Sequence, residues 1–307
     1  MGTTIGSIAD GAWPTMVTPF ADNGEIDYGG LEHLIEWYIG QGVHGLFAVC
    51  QSSEMFYLSL EERVRLAAFV VERSRGRVPV IASGHVSDRA EDQIEEIKRI
   101  AATGIDAFVL VSNRLAAADQ SEELWKERAE AILRQVSDVS FGIYECPYPY
   151  KRLLSPELLR WCADTGRFLF LKDTCCDASQ IAAKLEAVRG SRLKLFNANA
   201  ATLLESLTLG ASGFSGVMAN FHADLYVSML ALREREPERA ARLQNFLGLA
   251  SAIERQYYPV NAKFHLQLEG VPIGLHSRTA KSEGLTVAMR EEIRQLRATA
   301  QWVRETV

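Results

Sequence analysis

Lys172 closes the apolar run Phe168-Leu169-Phe170-Leu171 and is followed at once by Asp173. Desolvating an ammonium is expensive, so a lysine that ends a buried strand either snorkels to solvent or stands in a site. Walled by aliphatic side chains, such an amine loses its proton more readily. It can then attack a carbonyl to form a Schiff base, whose iminium is an electron sink. Tyr144 ends a second run, Val139 to Tyr144, and could set a phenol beside that lysine. Forming, dehydrating and hydrolysing an imine each require a proton to move, which a phenol in reach can do. The turn-like stretch Cys50-Gln51-Ser52-Ser53-Glu54-Met55 offers two hydroxyls and main-chain N–H groups just before a helical stretch. Donors of that kind hold a carboxylate without a competing charge. The glycine-spaced segment Gly210-Ala211-Ser212-Gly213-Phe214-Ser215-Gly216 could bind an anion, with Ser215 as a candidate substrate contact. Each feature also has a plain structural reading: a rim lysine, an amphipathic aromatic, a polar turn, a close backbone approach.

Composition removes several classes of function. A net charge of −6, with basic residues scattered among acidic ones, gives no footprint for nucleic acid. No run of eighteen apolar residues and no basic segment leading into an apolar stretch occurs, so a cytoplasmic protein with no membrane partner is expected. Five cysteines, an odd number without a Cys-x-x-Cys pair, suggest neither a disulfide framework nor zinc. Six dispersed histidines show no helical ligand pair, and the expected chemistry uses no metal or cofactor.

These residues need elements that bring them together. Apolar runs rich in β-formers recur over 13–20, 45–50, 78–83, 107–111, 139–144, 168–172, 193–196 and 213–218. They have the continuous hydrophobicity of strands covered on both faces. Stretches of helical period lie between them, over 28–39, 60–74, 90–102, 121–135, 156–163, 178–188 and 201–209. Strand-helix units repeated eight times predict a (β/α)8 TIM barrel, because parallel strands need crossover helices and the sheet closes on itself. An open doubly wound sheet is the rival. Gly42, Gly104, Gly166, Gly190 and Gly210 fall where helices should end. Further helices over 223–235, 237–255 and 287–307, with 261–268 before the last, predict a helical extension at 223–307 packed on a barrel of 1–222. In such barrels the carboxyl ends of the strands carry the chemistry, and Lys172, Tyr144 and the 50–55 turn all fall there.

The order of these motifs resembles the family of dihydrodipicolinate synthase and N-acetylneuraminate lyase, Schiff-base enzymes on a (β/α)8 barrel. The likeness spans most of the chain. It runs through Thr18-Pro19-Phe20, the Cys50–Glu54 turn with its following Leu58-Ser59-Leu60-Glu61-Glu62-Arg63, Tyr144-Glu145-Cys146-Pro147, Leu171-Lys172-Asp173-Thr174, and Gly210 to Asn220. The resemblance implies that Lys172 forms the imine and that Tyr144 relays protons. It also implies that Ser52 and Ser53 occupy the turn holding the substrate's carboxylate, usually pyruvate's, and that the protein is a homotetramer or its dimer unit.

Three departures limit the likeness. Cys50 and Gln51 stand where the family turn has glycine and a relay threonine, and glutamine can hydrogen-bond but cannot pass a proton as a hydroxyl does. Pro149 aligns with the arginine that receives the dicarboxylic aldehyde, while Lys151 and Arg152 are displaced, and the stretch after the fourth strand has no tyrosine. These changes argue against a dihydrodipicolinate synthase proper and leave the first half-reaction intact. The expected function is a class I lyase or aldolase working through a lysine imine with pyruvate or another 2-oxo acid. A sugar-acid dehydratase or decarboxylase of the same family, or a non-catalytic carboxylate binder, is the alternative.

Overall fold

The computed structural model describes residues 8–306, so residues 1–7 of the expected barrel and Val307 of the expected last helix lie outside the described residues. Eight parallel strands are ordered β1-β8-β7-β6-β5-β4-β3-β2. They are β1 (Gly11–Ala12), β2 (Leu46–Phe47), β3 (Val80–Ala82), β4 (Ala107–Val111), β5 (Phe141–Tyr144), β6 (Phe168–Asp173), β7 (Lys194–Asn197) and β8 (Gly213–Phe214). The ring closes between β1 and β2 through Phe47 N–H to Pro14 O at 3.1 Å and Met16 N–H to Phe47 O at 3.1 Å. This is the expected (β/α)8 barrel.

Helices α1 (Tyr28–Gly40), α2 (Leu60–Ser74), α3 (Ala90–Ala101), α4 (Ser112–Leu115), α5 (Glu122–Gln135), α6 (Pro156–Asp164), α7 (Ala178–Val188) and α8 (Leu203–Thr208) alternate with the strands. Their starts are written in the sequence. Asp27, Ser121, Ser155 and Asp177 cap α1, α5, α6 and α7, and Ser59 with Glu62 forms a reciprocal capping box on α2.

The first strand differs from the expected 13–20. Pro14 and Pro19 have no N–H to give a ladder, so regular pairing stops after Ala12 and leaves two isolated bridges, Thr15 to Phe47 and Phe20 to Ile26. Gly11, at φ +145°, lets the His44 ring lie 2.0 Å from where a β-carbon would stand. The eighth strand is likewise shorter than expected, because the chain turns after Phe214 into α9 (Ala219–Arg235), which kinks at His222.

Below the carboxyl ends the barrel is plugged by aromatic rings. Phe170 stacks on Phe196 at 4.5 Å and meets Trp13 at 5.7 Å and Phe47 at 6.2 Å. One extra residue in β6 opposite Phe141–Gly142 turns Phe168 outward against Trp161 and Phe170 inward. Each such ring contributes roughly 1.5–3 kcal/mol by leaving water, and together they form a dry floor for whatever stands above.

The chain then forms α10 (Pro237–Ala250), a 3-10 turn at Ser251–Arg255, α11 (Val260–Leu268) and α12 (Val287–Thr306). The expected helix 237–255 therefore breaks at Ala250. Tyr226, Leu243, Leu247, Leu266 and Val303 join the barrel's own core, so the extension is packed continuously on it.

Candidate active site

Tyr144 and Lys172 face each other in register across β5 and β6. Lys172 is 2% exposed, and its Nζ lies 4.8 Å from the centre of the Tyr144 ring. Among the described residues it makes no ion pair. Burial therefore pulls its pKa down to about 8, against smaller opposing effects of Cys50, Cys146 and Glu254. On the order of a tenth of the amine is neutral at pH 7, which suits a nucleophile.

The Tyr144 hydroxyl donates to Gln51 Oε1 at 3.2 Å, and the Cys146 thiol donates to the same oxygen at 3.4 Å. Burial, reinforced by the neighbouring thiols, holds the phenol well above its usual pKa. It stays a donor at every physiological pH. Gln51 thus holds the phenol through an amide oxygen, which accepts a hydrogen bond but cannot pass a proton as a hydroxyl does.

The turn after β2 divides its two serines. Ser52 lines the cavity over Lys172 and donates to Thr15 Oγ1 at 3.1 Å. Ser53 instead folds back, donating to Cys50 O at 2.7 Å and accepting from Cys50 N–H at 2.7 Å. Its hydroxyl is consumed in tying the turn and does not line the cavity. Ser215 is also fully buried and lies outside the lining, with no hydrogen-bond partner for its hydroxyl among the described residues. The glycines around it serve closure of the barrel, since a β-carbon at Gly213 would fall 1.9 Å from Gly11 O. Of the expected site residues the structure brings together Lys172, Tyr144, Gln51 and Ser52.

These four open into a cavity of about 470 Å³ that strand ends alone do not build. Glu254, Arg255 and Tyr258, all from the extension, line its far wall. Reading strand ends could not find them, because they lie more than thirty residues beyond β8. Asn220 Nδ2 donates to Tyr258 Oη at 3.2 Å and to Thr15 O at 2.9 Å, tying the start of α9 to both walls. Glu54, in left-handed conformation at φ 63°, accepts from Lys263 Nζ at 3.0 Å, Ser277 Oγ at 2.9 Å, and the N–H groups of Arg278 at 2.6 Å and Thr279 at 3.0 Å. This buried carboxylate fastens the extension to the turn that carries Gln51 and Ser52. No spacing signals a pair 209 residues apart.

Directly behind β5 and β6 lies a buried charge cluster. Lys184 Nζ, from α7, donates to Glu145 Oε1 and Asp173 Oδ2, each at 2.6 Å. Burial, with the charge of Asp173, pushes Glu145 up to about 7. The two carboxylates raise Lys184 despite its own burial. The residues flanking Tyr144 and Lys172 on the outer side of the strands are thereby locked to one another.

Of the two displaced cations, Lys151 lines the cavity and donates to Thr174 O at 2.7 Å. Arg152 turns away and holds the carbonyls of Ala117, Gln120 and Ser121. His85 is structural: it accepts from Val111 N–H at 2.7 Å through Nε2 and donates to Gln93 at 3.2 Å.

A model of the dihydrodipicolinate synthetase family matches residues 9–299. The 4-hydroxy-tetrahydrodipicolinate synthase of Shewanella piezotolerans is 26% identical over 257 residues, covering 83% of this chain and 86% of that protein. That of a Psychrobacter species is 30% identical over 212 residues, 68% of each. Among solved structures, a dihydrodipicolinate synthase from Bacillus anthracis superposes with a TM-score of 0.86 at 22% identity, covering 95% of this chain and 99% of that one. YagE, a prophage protein of the same family from E. coli solved with pyruvate, gives 0.85 at 24% identity, over 96% and 98%. Among the described residues no helix is long and apolar enough to cross a membrane.

Proposed function

The chain belongs to the dihydrodipicolinate synthetase family of class I carbon–carbon lyases and aldolases, and on that premise we propose that it forms an imine between Lys172 and pyruvate or another 2-oxo acid. The observation that carries this reading is the buried, unpaired Lys172 amine held over the Tyr144 ring. The neutral amine adds to the C2 carbonyl, and the carbinolamine loses water to give the iminium. Tyr144 supplies the proton that lets the hydroxyl depart, and Gln51 keeps the phenol aimed. Ser52 and the N–H groups of its turn receive the carboxylate. The iminium then draws electrons from the neighbouring carbon, so a carbon–carbon bond there can be made or broken.

We further propose that the second substrate is not the aldehyde of the lysine-biosynthetic synthases. Gln51 cannot relay a proton, and the cation expected two positions on from Pro147 is replaced by Pro149, with Arg152 engaged elsewhere. The names of the curated relatives favour condensation. The Glu254 carboxyl in the same cavity, without a hydrogen bond among the described residues, favours a second reading, loss of water from a sugar-derived 2-keto acid. We extend the proposal to a barrel of 1–222 carrying the 223–307 extension and to a homo-oligomer, a dimer or tetramer, which sedimentation velocity would test.

The functional test is a panel of 4-hydroxy-2-oxo acids, with pyruvate release followed by a lactate dehydrogenase couple, beside condensation of pyruvate with aspartate 4-semialdehyde. The proposal expects cleavage of at least one panel member, abolished by Lys172→Ala, and condensation at least 100-fold less efficient. Efficient condensation with the semialdehyde would overturn the substrate proposal. Silence in every assay would favour a carboxylate-binding protein.

A further inference from the structure

Besides Tyr144, the cavity contains titratable groups that the imine chemistry above leaves idle. Most are already engaged. Glu54 is saturated by Lys263, Ser277, Arg278 and Thr279, and Lys151 is spent on Thr174 O. The Tyr258 phenol accepts from Asn220, and burial holds it well above its usual pKa. Glu254 is different. It lines the cavity, and among the described residues its carboxyl makes no hydrogen bond and no ion pair within bonding distance.

Its position is nonetheless fixed. Glu254 sits on the 3-10 turn Ser251–Arg255, and the preceding carbonyl, Ile253 O, accepts from the buried Asn261 Nδ2 at 2.8 Å and from Gln256 N–H at 3.0 Å. Asn261 belongs to α11, which Lys263 and Glu54 anchor to the barrel. The half-buried carboxyl is thus held in the cavity wall with no protein hydrogen-bond partner among the described residues. Its charged neighbours are Lys172 from β6 and Arg255 on its own turn, and its charge also reaches Tyr226 of α9 and Tyr258. Burial raises its pKa, and Lys172 and then Arg255 act against that.

We propose that Glu254 is the acid–base group that exchanges the carbon-bound proton next to the imine, a step separate from the Tyr144 steps at nitrogen and oxygen. The inference rests on the imine reading above. In the forward direction the Glu254 carboxylate takes a proton from C3 of the iminium. The C–H electron pair becomes the C2=C3 bond, and the C=N π pair moves onto nitrogen, leaving a neutral enamine and a protonated Glu254. The reverse step returns the proton to carbon. Tyr144 is assigned to the steps at oxygen and nitrogen, and its hydroxyl is held by Gln51.

The test is deuterium exchange into the methyl group of pyruvate and the C3 methylene of 2-oxobutyrate in D2O, followed by proton NMR, with borohydride trapping run in parallel. Glu254→Gln is expected to trap a wild-type yield of adduct while exchanging at least 10-fold more slowly, and Glu254→Asp to recover part of the rate. Relative to the rate of adduct formation, wild-type exchange should fall further as acid protonates the carboxyl, and that additional limb should vanish in Glu254→Gln. Wild-type exchange by Glu254→Gln overturns the inference and leaves the imine reading standing. Wild-type protein that neither traps an adduct nor exchanges overturns the imine reading and the inference with it. Because the Glu254 carboxyl makes no hydrogen bond among the described residues, the isosteric variant should fold, and its adduct yield reports directly whether it has.

Discussion

Lys172 is an unfavourable residue for the fold it sits in. Moving its pKa from 10.5 to about 8 means that burial disfavours the ammonium by about 3 kcal/mol at neutral pH. Stability should therefore rise, not fall, when the amine is removed. Lys172→Met is expected to be at least as stable as the parent by urea denaturation while losing all imine chemistry; a loss above about 1 kcal/mol would mean the amine has a stabilising partner. The depressed pKa also fixes a pH dependence. Below pH 8 the neutral fraction grows about tenfold per unit, so the initial rate of adduct formation should climb with that slope and level off above pH 8. A flat rate from pH 6 to 8, measured by quenching with borohydride, would contradict it. That Lys172 and Tyr144 end neighbouring strands was legible in the sequence, because each closes an apolar run. Ser53 was not, because whether a serine in a turn faces the ligand or closes the turn depends on the backbone angles around it.

At the level of elements, position along the barrel could be read from the alternation of apolar runs and helical stretches, and most caps from single serines and aspartates. Two features could not. Apolar residues at 13–20 look like a strand, yet Pro14 and Pro19 end the ladder after Ala12. The far wall of the cavity comes from the extension, whose helical pattern says nothing about which turn it lowers onto the barrel mouth. That placement depends on the Glu54–Lys263 pair, with side chains 1% and 0% exposed. Burial pulls the Lys263 pKa down, opposed by Glu54, so removing the partner strands a charge in the core. Glu54→Gln is expected to lower stability by about 3–5 kcal/mol and to weaken 2-oxo acid binding, because Gln51 and Glu254 lose their common anchor. An unchanged urea midpoint would show that the N–H groups of Arg278 and Thr279 hold the extension without the charge.

Across the whole molecule, three histidines are buried in their neutral form. His85 lies between β3 and α3, while His222 and His265 lie where α9 and α11 meet, both without hydrogen-bond partners for either ring nitrogen among the described residues. Burial brings each down to about 3 from 6.5. The unfolded chain therefore binds protons that the folded chain refuses between those values. Stability is fully present above pH 6.5 and is lost as pH falls toward 3, by up to about 1.4 kcal/mol per unit for each imidazole. His222→Phe should flatten the acid limb of a stability–pH curve; an identical limb would place the titrating groups elsewhere. Nothing in residue order announced this pairing, since His222 and His265 meet only once the extension has packed.

The most direct measurement is the intact mass of the protein after incubation with pyruvate and sodium borohydride, repeated with Lys172→Ala. The account predicts one reduced pyruvyl adduct per chain, located by peptide mapping at Lys172 and missing from the variant. A folded parent protein that gains no mass with pyruvate or longer 2-oxo acids, or an adduct that survives Lys172→Ala, would contradict the imine at its centre.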